Sequence, residues 1–336
     1  MALAELRDRP VFICGHPKAG TSLLRALLDA HPQVVVYPEE SVFFRRYLPK
    51  ADGLALQDQQ KLAVEELTHI FTWNQEDPPP SQDGFPDRDY SAIAHQHVQQ
   101  AMAQLLASLP PRHTGDMLSA AVLAYGQVTG QLSANTHAWV EKSPYNEKYA
   151  GQIFTWWPQA RCIHMVRDPR DNFVSYRRKH PDWSAEFFAR NWRSSLLAGF
   201  ANQVKYGASQ YLLLRYEDLV QSPEPTLQQI IKFLGIKFDK ILKTPTRAGI
   251  PWQGNSMFAQ EFEVISAAPV GRWKSTLTSQ EAAVIEWIAR QAMVELQYEH
   301  SLNSSLYTRV NVALWPLRRR VAKIFHRVTP GKSGEK

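Results

Sequence analysis

RPVFICGHPKAGTSLLRALLDAHP, residues 9–32, is the stretch on which the fold turns. Val11 to Cys14 reads as a buried strand, Gly15 to Gly20 as a loop, and a helix opens at Thr21 or Ser22 with Leu23, Leu24, Leu27 and Leu28 on one face. A loop between a strand and a helix N-terminus gathers backbone N–H groups. The helix dipole adds partial positive charge there, and the two together hold a phosphate. The spacing Gly15-x4-Gly20 is that of a nucleotide P-loop. An ATPase or kinase would continue with Lys and then Ser or Thr. This chain continues with Thr21 and Ser22, and its loop lysine stands earlier, at Lys18. The loop therefore suits a phosphate but lacks the usual lysine for the β- and γ-phosphates of a triphosphate.

The sequence has 336 residues, 44% of them apolar, which allows a large core in one domain or two smaller ones. Cys14 and Cys162 sit in apolar, strand-like runs and are read as buried structural thiols, not as a disulfide or metal site. No apolar run of signal or membrane length precedes Val11, so a cytoplasmic chain is expected. The net charge of +6 is unevenly spread. From Arg309 onward eight Lys and Arg face one acid, Glu335, giving +7 and leaving −1 for the rest. A nucleic-acid binder spreads basic charge over its folded body, so no nucleic-acid partner is expected.

Strand-like runs occur at 10–15, 33–37, 138–141, 161–166 and 211–215. Helix-like segments lie at about 21–30, 58–70, 90–109, 117–132, 146–155, 170–179, 184–205 and 225–234. Strands alternating with helices predict an α/β fold, a central parallel sheet flanked by helices. The segment 77–89, DPPPSQDGFPDRD, reads as a loop. Residues 236–277 read as irregular, a candidate lid over the edge where open α/β sheets bind ligands.

A second phosphate-type signature is ARCIHMVRDPRDNFVSYRRKH, 160–180. Arg167 follows a strand that ends at Val166, Asp168-Pro169 opens a helix, and Ser175 lies two turns into it. A guanidinium at a strand tip and a hydroxyl on the next helix can share one phosphate. Read alone, the same residues fit a surface Arg with a capping Asp. Beside the first loop they supply a second phosphate site at the same sheet edge, as a nucleoside with phosphates at both ends would need.

In this pairing the chain resembles the sulfotransferase superfamily, whose donor is 3′-phosphoadenosine 5′-phosphosulfate (PAPS) and whose product is adenosine 3′,5′-bisphosphate (PAP). YEDLVQSPEPTLQQIIKFLGI, 216–236, and GRWKSTLT, 271–278, resemble the family's later landmarks, in order. The resemblance implies a P-loop-like sulfotransferase domain over 8–300, with 309–336 as a basic tail. It implies that Lys18, Ala19, Gly20, Thr21 and Ser22 bind the 5′-phosphosulfate and that Arg167 and Ser175 bind the 3′-phosphate. Tyr216, with Arg272 or Lys274, would touch the donor further along. Ala267, Ala268 and Pro269 stand near where cytosolic members have Arg-Lys-Gly.

LLDAHPQVVVYPEESVFFRRYL, 27–48, is similar to the protein-tyrosine sulfotransferases and their bacterial relatives. The resemblance implies Glu40 as general base, with Glu39 as the alternative. His113 or His137 would take that role if the base were the histidine of small-molecule members. Val42 stands where the tyrosine-sulfating enzymes have an Arg, and Arg46 matches a further family Arg. Lys142 matches a lysine beside the leaving group; read alone, it is a surface Lys paired with Glu141, and Glu39–Glu40 a solvated loop pair. In-line sulfuryl transfer rests on positioning and charge. Lys18, Lys142 and the loop amides would neutralise the leaving oxygen, Glu40 would take the acceptor proton, and no metal is called for. The acceptor would be a phenol, carbohydrate, lipid or peptide hydroxyl. Two other readings stay open: a P-loop kinase or NTPase, and a catalytically inactive, sulfotransferase-like, membrane-associated protein.

WPLRRRVAKIFHRV, 315–328, spaces Leu317, Val321, Ile324 and Val328 helically among basic residues. This fits either a helix lying on a membrane surface or a helix packed on the body with a solvated charged face. On the membrane reading, deletion after Asn311 abolishes binding to anionic liposomes and leaves donor binding intact. Unchanged liposome binding by the truncated chain excludes that reading.

Overall fold

The computed structural model describes residues 2–252, 254 and 265–301. The chain divides into two compact units, one of Met1–Arg167 with Ser194–Val270, the other of Asp168–Arg193 with Gly271–Lys336. The first unit is built on a five-stranded sheet of β1 (Pro10–Cys14), β2 (Val34–Val36), β3 (Ala138–Lys142), β4 (Arg161–Val166) and β5 (Tyr211–Arg215). The order is β2-β3-β1-β4-β5 and every pairing is parallel. Each strand lies within one residue of the run read from the sequence.

Parallel strands covered on both faces must be apolar on both faces. Phe12, Cys14, Val35, Trp139, Cys162 and Tyr211 point into one core. Val11, Ile13, Val34, Val36, Val140, Ile163, Met165, Leu212 and Leu214 point into the other. The first core is closed by the helices His95–Ser108, Asp116–Val128 and Ala150–Trp156, the second by Thr21–Leu28 and Pro223–Leu234. Cys14 and Cys162 are free, buried thiols, as expected. Chain order runs from β1 out to β2, back through β3 and across to β4, so the strand order reverses at β1. In open α/β sheets ligands bind at that point, off the carboxyl ends of the strands.

Segment 77–89 has no regular structure beyond a short turn at Pro80–Gln82. Within 236–277 there is a turn at Lys240–Lys243, an antiparallel pair of β6 (Thr246–Arg247) and β7 (Ile250–Pro251), and a four-residue helix, Trp273–Thr276. The lid read into this segment falls partly on 253 and 255–264, outside the described residues. The basic tail 309–336 lies outside them entirely. Among the described residues no helix is long and apolar enough to cross a membrane.

The second unit gathers around Arg170, on the helix Pro169–Arg177. Its guanidinium is buried between Asp168 (2.6 Å) and Glu286 (2.6 Å) and lies 3.9 Å over the Trp273 ring. Asp171 accepts from the backbone N–H groups of Gly271 (2.6 Å) and Trp273 (2.8 Å). The helix Ser279–Glu295, absent from the sequence reading, opens with a capping box in which Thr278 and Glu281 satisfy each other's backbone N–H.

Gly126 faces Val35 of β2, and a Cβ there would lie 2.6 Å from a Val35 methyl carbon. Helix propensity alone favours Ala over Gly by about 1 kcal/mol. Here overpacking works the other way, and Gly126→Ala should destabilise the chain by roughly 1–3 kcal/mol. Chemical denaturation checks the sign; a stabilised variant would mean the helix does not press on β2 this closely.

Candidate active site

The loop after β1 is shaped by backbone angles that few residues tolerate. Gly15 has φ +129°, Lys18 +66° and Gly20 +98°. A Cβ on Gly15 would meet the Met165 carbonyl oxygen at 2.3 Å, and one on Gly20 the Tyr216 ring at 2.5 Å. Both glycines are thus required by close approach as well as by φ. Gly15 N–H is committed to the buried Glu147 (3.0 Å), whose carboxyl burial pushes above its usual range. The amides left to face a ligand lie further along, where Gly20 caps the helix Thr21–Leu28. Ala19 and Thr21 are buried, and Lys18, Gly20 and Ser22 are half-buried.

The tips of β4 and β5 close on this loop. Arg167 is buried, donates to the backbone carbonyls of Lys18 (3.3 Å) and Pro269 (3.1 Å), and stacks 4.6 Å over the Tyr216 ring. Lys18, Gly20, Arg167 and Tyr216, picked from three separate segments of sequence, therefore meet at one end of the sheet. The cationic and N–H-rich surface they form fits a phosphorylated ligand.

The tips of β2 and β3 carry the second cluster. Lys142, the last residue of β3, has a side chain 4% exposed, and its Nζ is 2.6 Å from Glu40 Oε1. The Glu40 side chain is 38% exposed. The pairing of Lys142 with Glu141, one of the readings from sequence, does not form. Glu141 points the opposite way along the strand and is fully buried. Its Oε1 accepts from Ser41 N (3.2 Å), Ser41 Oγ (2.7 Å) and Ser143 Oγ (2.6 Å), and its Oε2 from Asn146 Nδ2 (2.7 Å). Burial raises its pKa, with these donors opposing. Ser143 Oγ in turn accepts from Val42 N (3.0 Å). Val42 itself sits at φ +50°, a conformation that a β-branched residue adopts only under constraint. The bracket under Ser41 and Val42 thus sets where Glu40 stands. Sequence alone placed Glu141 only as a partner for Lys142 and missed Ser143 and Asn146; the signal was a polar run, EKSPYNE, following an apolar strand.

Glu39 has a different environment. It is buried, receives the Tyr90 hydroxyl (2.8 Å), and lies 2.6 Å from Arg88 Nε and 3.8 Å from Arg247 Nε. Burial opposes its charge, but Arg88, Arg25 and Arg247 together outweigh burial and hold its pKa below 4.5. Arg25 also donates to the Pro38 carbonyl, which ties the helix after β1 to the chain just before Glu39. The solvated loop pair read from sequence therefore does not describe Glu39. His137 immediately precedes β3, and His113 bonds the Trp156 carbonyl (3.0 Å) ahead of β4, so both lie at the opposite edge of the sheet.

Ser175, Arg272 and Lys274 belong to the second unit. Ser175 is half-buried on the helix Pro169–Arg177. Arg272 is half-buried and Lys274 exposed, and the backbone of this segment is fastened to the same helix through Asp171.

The sequence model described as the Sulfotransferase family matches residues 10–240. Among curated proteins, protein-tyrosine sulfotransferase 2 of Gallus gallus is 24% identical over 72% of this chain and 55% of its own length. Protein-tyrosine sulfotransferase A of Caenorhabditis elegans is 23% identical over 68% and 50%. The chain thus spans about half the length of these relatives. Among solved structures, the sulfotransferase domain of the Synechococcus PCC 7002 olefin synthase superposes with a TM-score of 0.54 at 23% identity, covering 87% of this chain and 95% of that one. The sulfotransferase domain from the curacin biosynthetic pathway does so at 0.52 and 20%, covering 86% and 97%. The matched region takes in all five strands, the glycine-bounded loop and the tips bearing Lys142, Arg167 and Tyr216, and the chain belongs to the sulfotransferase family.

Proposed function

We propose that the chain transfers a sulfuryl group from PAPS to a hydroxyl or phenol, with Glu40 as general base. The observation that carries this reading is the Lys142–Glu40 pair, 2.6 Å apart at the tips of adjacent strands and beside the loop after β1. PAPS supplies the sulfuryl group and leaves as PAP. Lys18 and the amides from Ala19 to Ser22 hold its 5′ end. Arg167 holds the 3′-phosphate, with Tyr216 packed against Gly20.

Glu40 takes the acceptor's proton as the acceptor oxygen bonds to sulfur. Lys142 then donates to the oxygen that keeps the electron pair of the broken S–O bond. Environment favours Glu40 over Glu39 as base. A proton acceptor needs a reachable oxygen, and Glu40 is over a third exposed, whereas Glu39 is buried and its charge is already held by three arginines. Pairing also ties the base to the leaving-group lysine: until Lys142 turns to the donor, it holds one oxygen of Glu40. The family match and Thr21 at the P-loop lysine position count against a kinase. Glu40 and Lys142 both being present counts against an inactive relative.

Calorimetry should show PAP binding in preference to ATP with magnesium; the reverse preference overturns the donor assignment. Glu40→Ala should lower turnover by roughly 10²–10⁴-fold while PAP affinity is kept. An unchanged turnover removes Glu40 from the base role. Glu39→Gln should instead act on stability, costing roughly 3 kcal/mol at neutral pH because it leaves buried guanidinium charge uncompensated. Glu39 has a lowered folded pKa, so its contribution is present above the ordinary carboxylate pKa and disappears as pH falls through the folded value. The gap between variant and parent should therefore close in acid, as urea titrations at several pH values will report.

A further inference from the structure

Residues 141–147 hold two buried carboxyl groups, Glu141 and Glu147, and the proposed chemistry uses neither. A carboxylate taken out of water is destabilising unless its oxygens find donors. The Glu141 oxygens find theirs around Ser41 and Ser143, beneath the loop that carries Glu40. The Glu147 oxygens find theirs on the other side of the site. Its Oε2 accepts from Gly15 N (3.0 Å), and its Oε1 from Ser195 Oγ (2.5 Å) on the helix Ala185–Tyr206. Asn202, two turns further along that helix, donates to the Glu147 carbonyl (2.8 Å). The carboxyl is thus fixed from behind while it grips the first residue of the glycine loop.

Gly15 is where that loop leaves the sheet, at φ +129°. Glycine has no side chain to favour this angle over its alternatives, so a restraint from outside must hold it. Glu147 takes the Gly15 N–H, and Tyr145 N donates to the Gly15 carbonyl (3.2 Å). One short segment, 145–147, therefore holds both polar groups of Gly15, and Lys142 lies three residues before it. At the far end of the loop Gly20 is pressed against the Tyr216 ring. Only residues 16–19 separate the two glycines, so a backbone rotation at Gly15 displaces the amides of Ala19 to Ser22.

We propose that Glu147 is a positioning residue for the donor. By pinning Gly15 to the segment that bears Lys142, it sets how far the amides of Ala19 to Ser22 stand from that lysine. The inference rests on reading the loop after β1 as the donor's seat. Glu147 is buried, so it acts on the donor through Gly15 and not by contact. The two carboxyls of the segment then divide the work. Glu141 steadies the side that takes the acceptor's proton, and Glu147 the side that holds the nucleotide.

The test measures PAP affinity by calorimetry on the full chain and its variants. Glu147→Ala should weaken PAP binding by roughly tenfold or more, since small displacements in such a site cost up to about 10²-fold. Glu147→Gln should recover most of that affinity, because its amide oxygen accepts from Gly15 N while its NH₂ donates to the Ser195 hydroxyl. Ser143→Ala, which removes the acceptor for Val42 N beside Glu40, should leave PAP affinity within about twofold of the parent. A role confined to stability would lower the melting temperature of these variants without this split in affinity. Where Glu147→Ala does not fold, Ser195→Ala is read instead; it removes one of the two bonds that fix the carboxyl and should weaken PAP roughly threefold. PAP binding the parent and the Glu147→Ala or Ser195→Ala chain alike overturns the proposal alone. So does Glu147→Gln binding as weakly as Glu147→Ala, or Ser143→Ala binding as weakly as either. A parent chain that does not bind PAP overturns the donor reading and this inference with it.

Discussion

β1 is buried on both faces and hydrogen-bonded on both edges, between β3 and β4, and the first unit's chemistry is hung from that one strand. Its register with β3 sets Ile13 opposite Lys142, so the lysine emerges level with the start of the glycine loop. Its register with β4 sets Cys14 opposite His164, two residues short of Val166, so Arg167 emerges beyond the loop and turns back onto the Lys18 carbonyl. A slip of one residue in either pairing would reverse every side chain on the slipped strand, sending core residues and site residues to each other's places. The apolar alternation that fills the two cores is therefore also what aims the polar tips.

Four glutamates near these tips differ in burial and partners because their surroundings differ. Glu39 is buried but outweighed by arginines and stays charged. Glu141 and Glu147 are buried without a cation in direct contact, so burial pushes their carboxyls up. They serve as acceptors for hydroxyls, an amide and backbone N–H groups. Glu40 alone combines exposure with a paired lysine. Chemical identity does not separate these four; distance to guanidinium and to water does.

The sheet was legible because buried parallel strands are short apolar runs bounded by glycine, proline and polar residues, and all five stood out. The glycine-bounded loop and the tip of β4 were legible because a helix start and a strand end leave local marks at Gly20 and at Arg167-Asp168-Pro169. What stayed hidden was non-local. Nothing near Arg88 or Arg247 in sequence points to Glu39, and nothing near Ser41 points to Glu141 a hundred residues away. The helix Ser279–Glu295 was overlooked although Thr278 and Glu281 carry its start signal, because the Gly- and Pro-bearing segment before it read as irregular.

Val42 gives the loop after β2 an unusual standing. Its neighbours hold it where valine's own preference would not, so local and global choices disagree at this residue, a point of frustration in the fold. Such disagreements survive when something beyond stability requires the geometry. Evolution can exchange the strands' valines and isoleucines for one another with little penalty. At this corner, replacing the residue with one at ease there would settle the chain into a comfortable shape, and the carboxylate beside it would lose the reason it points where it does.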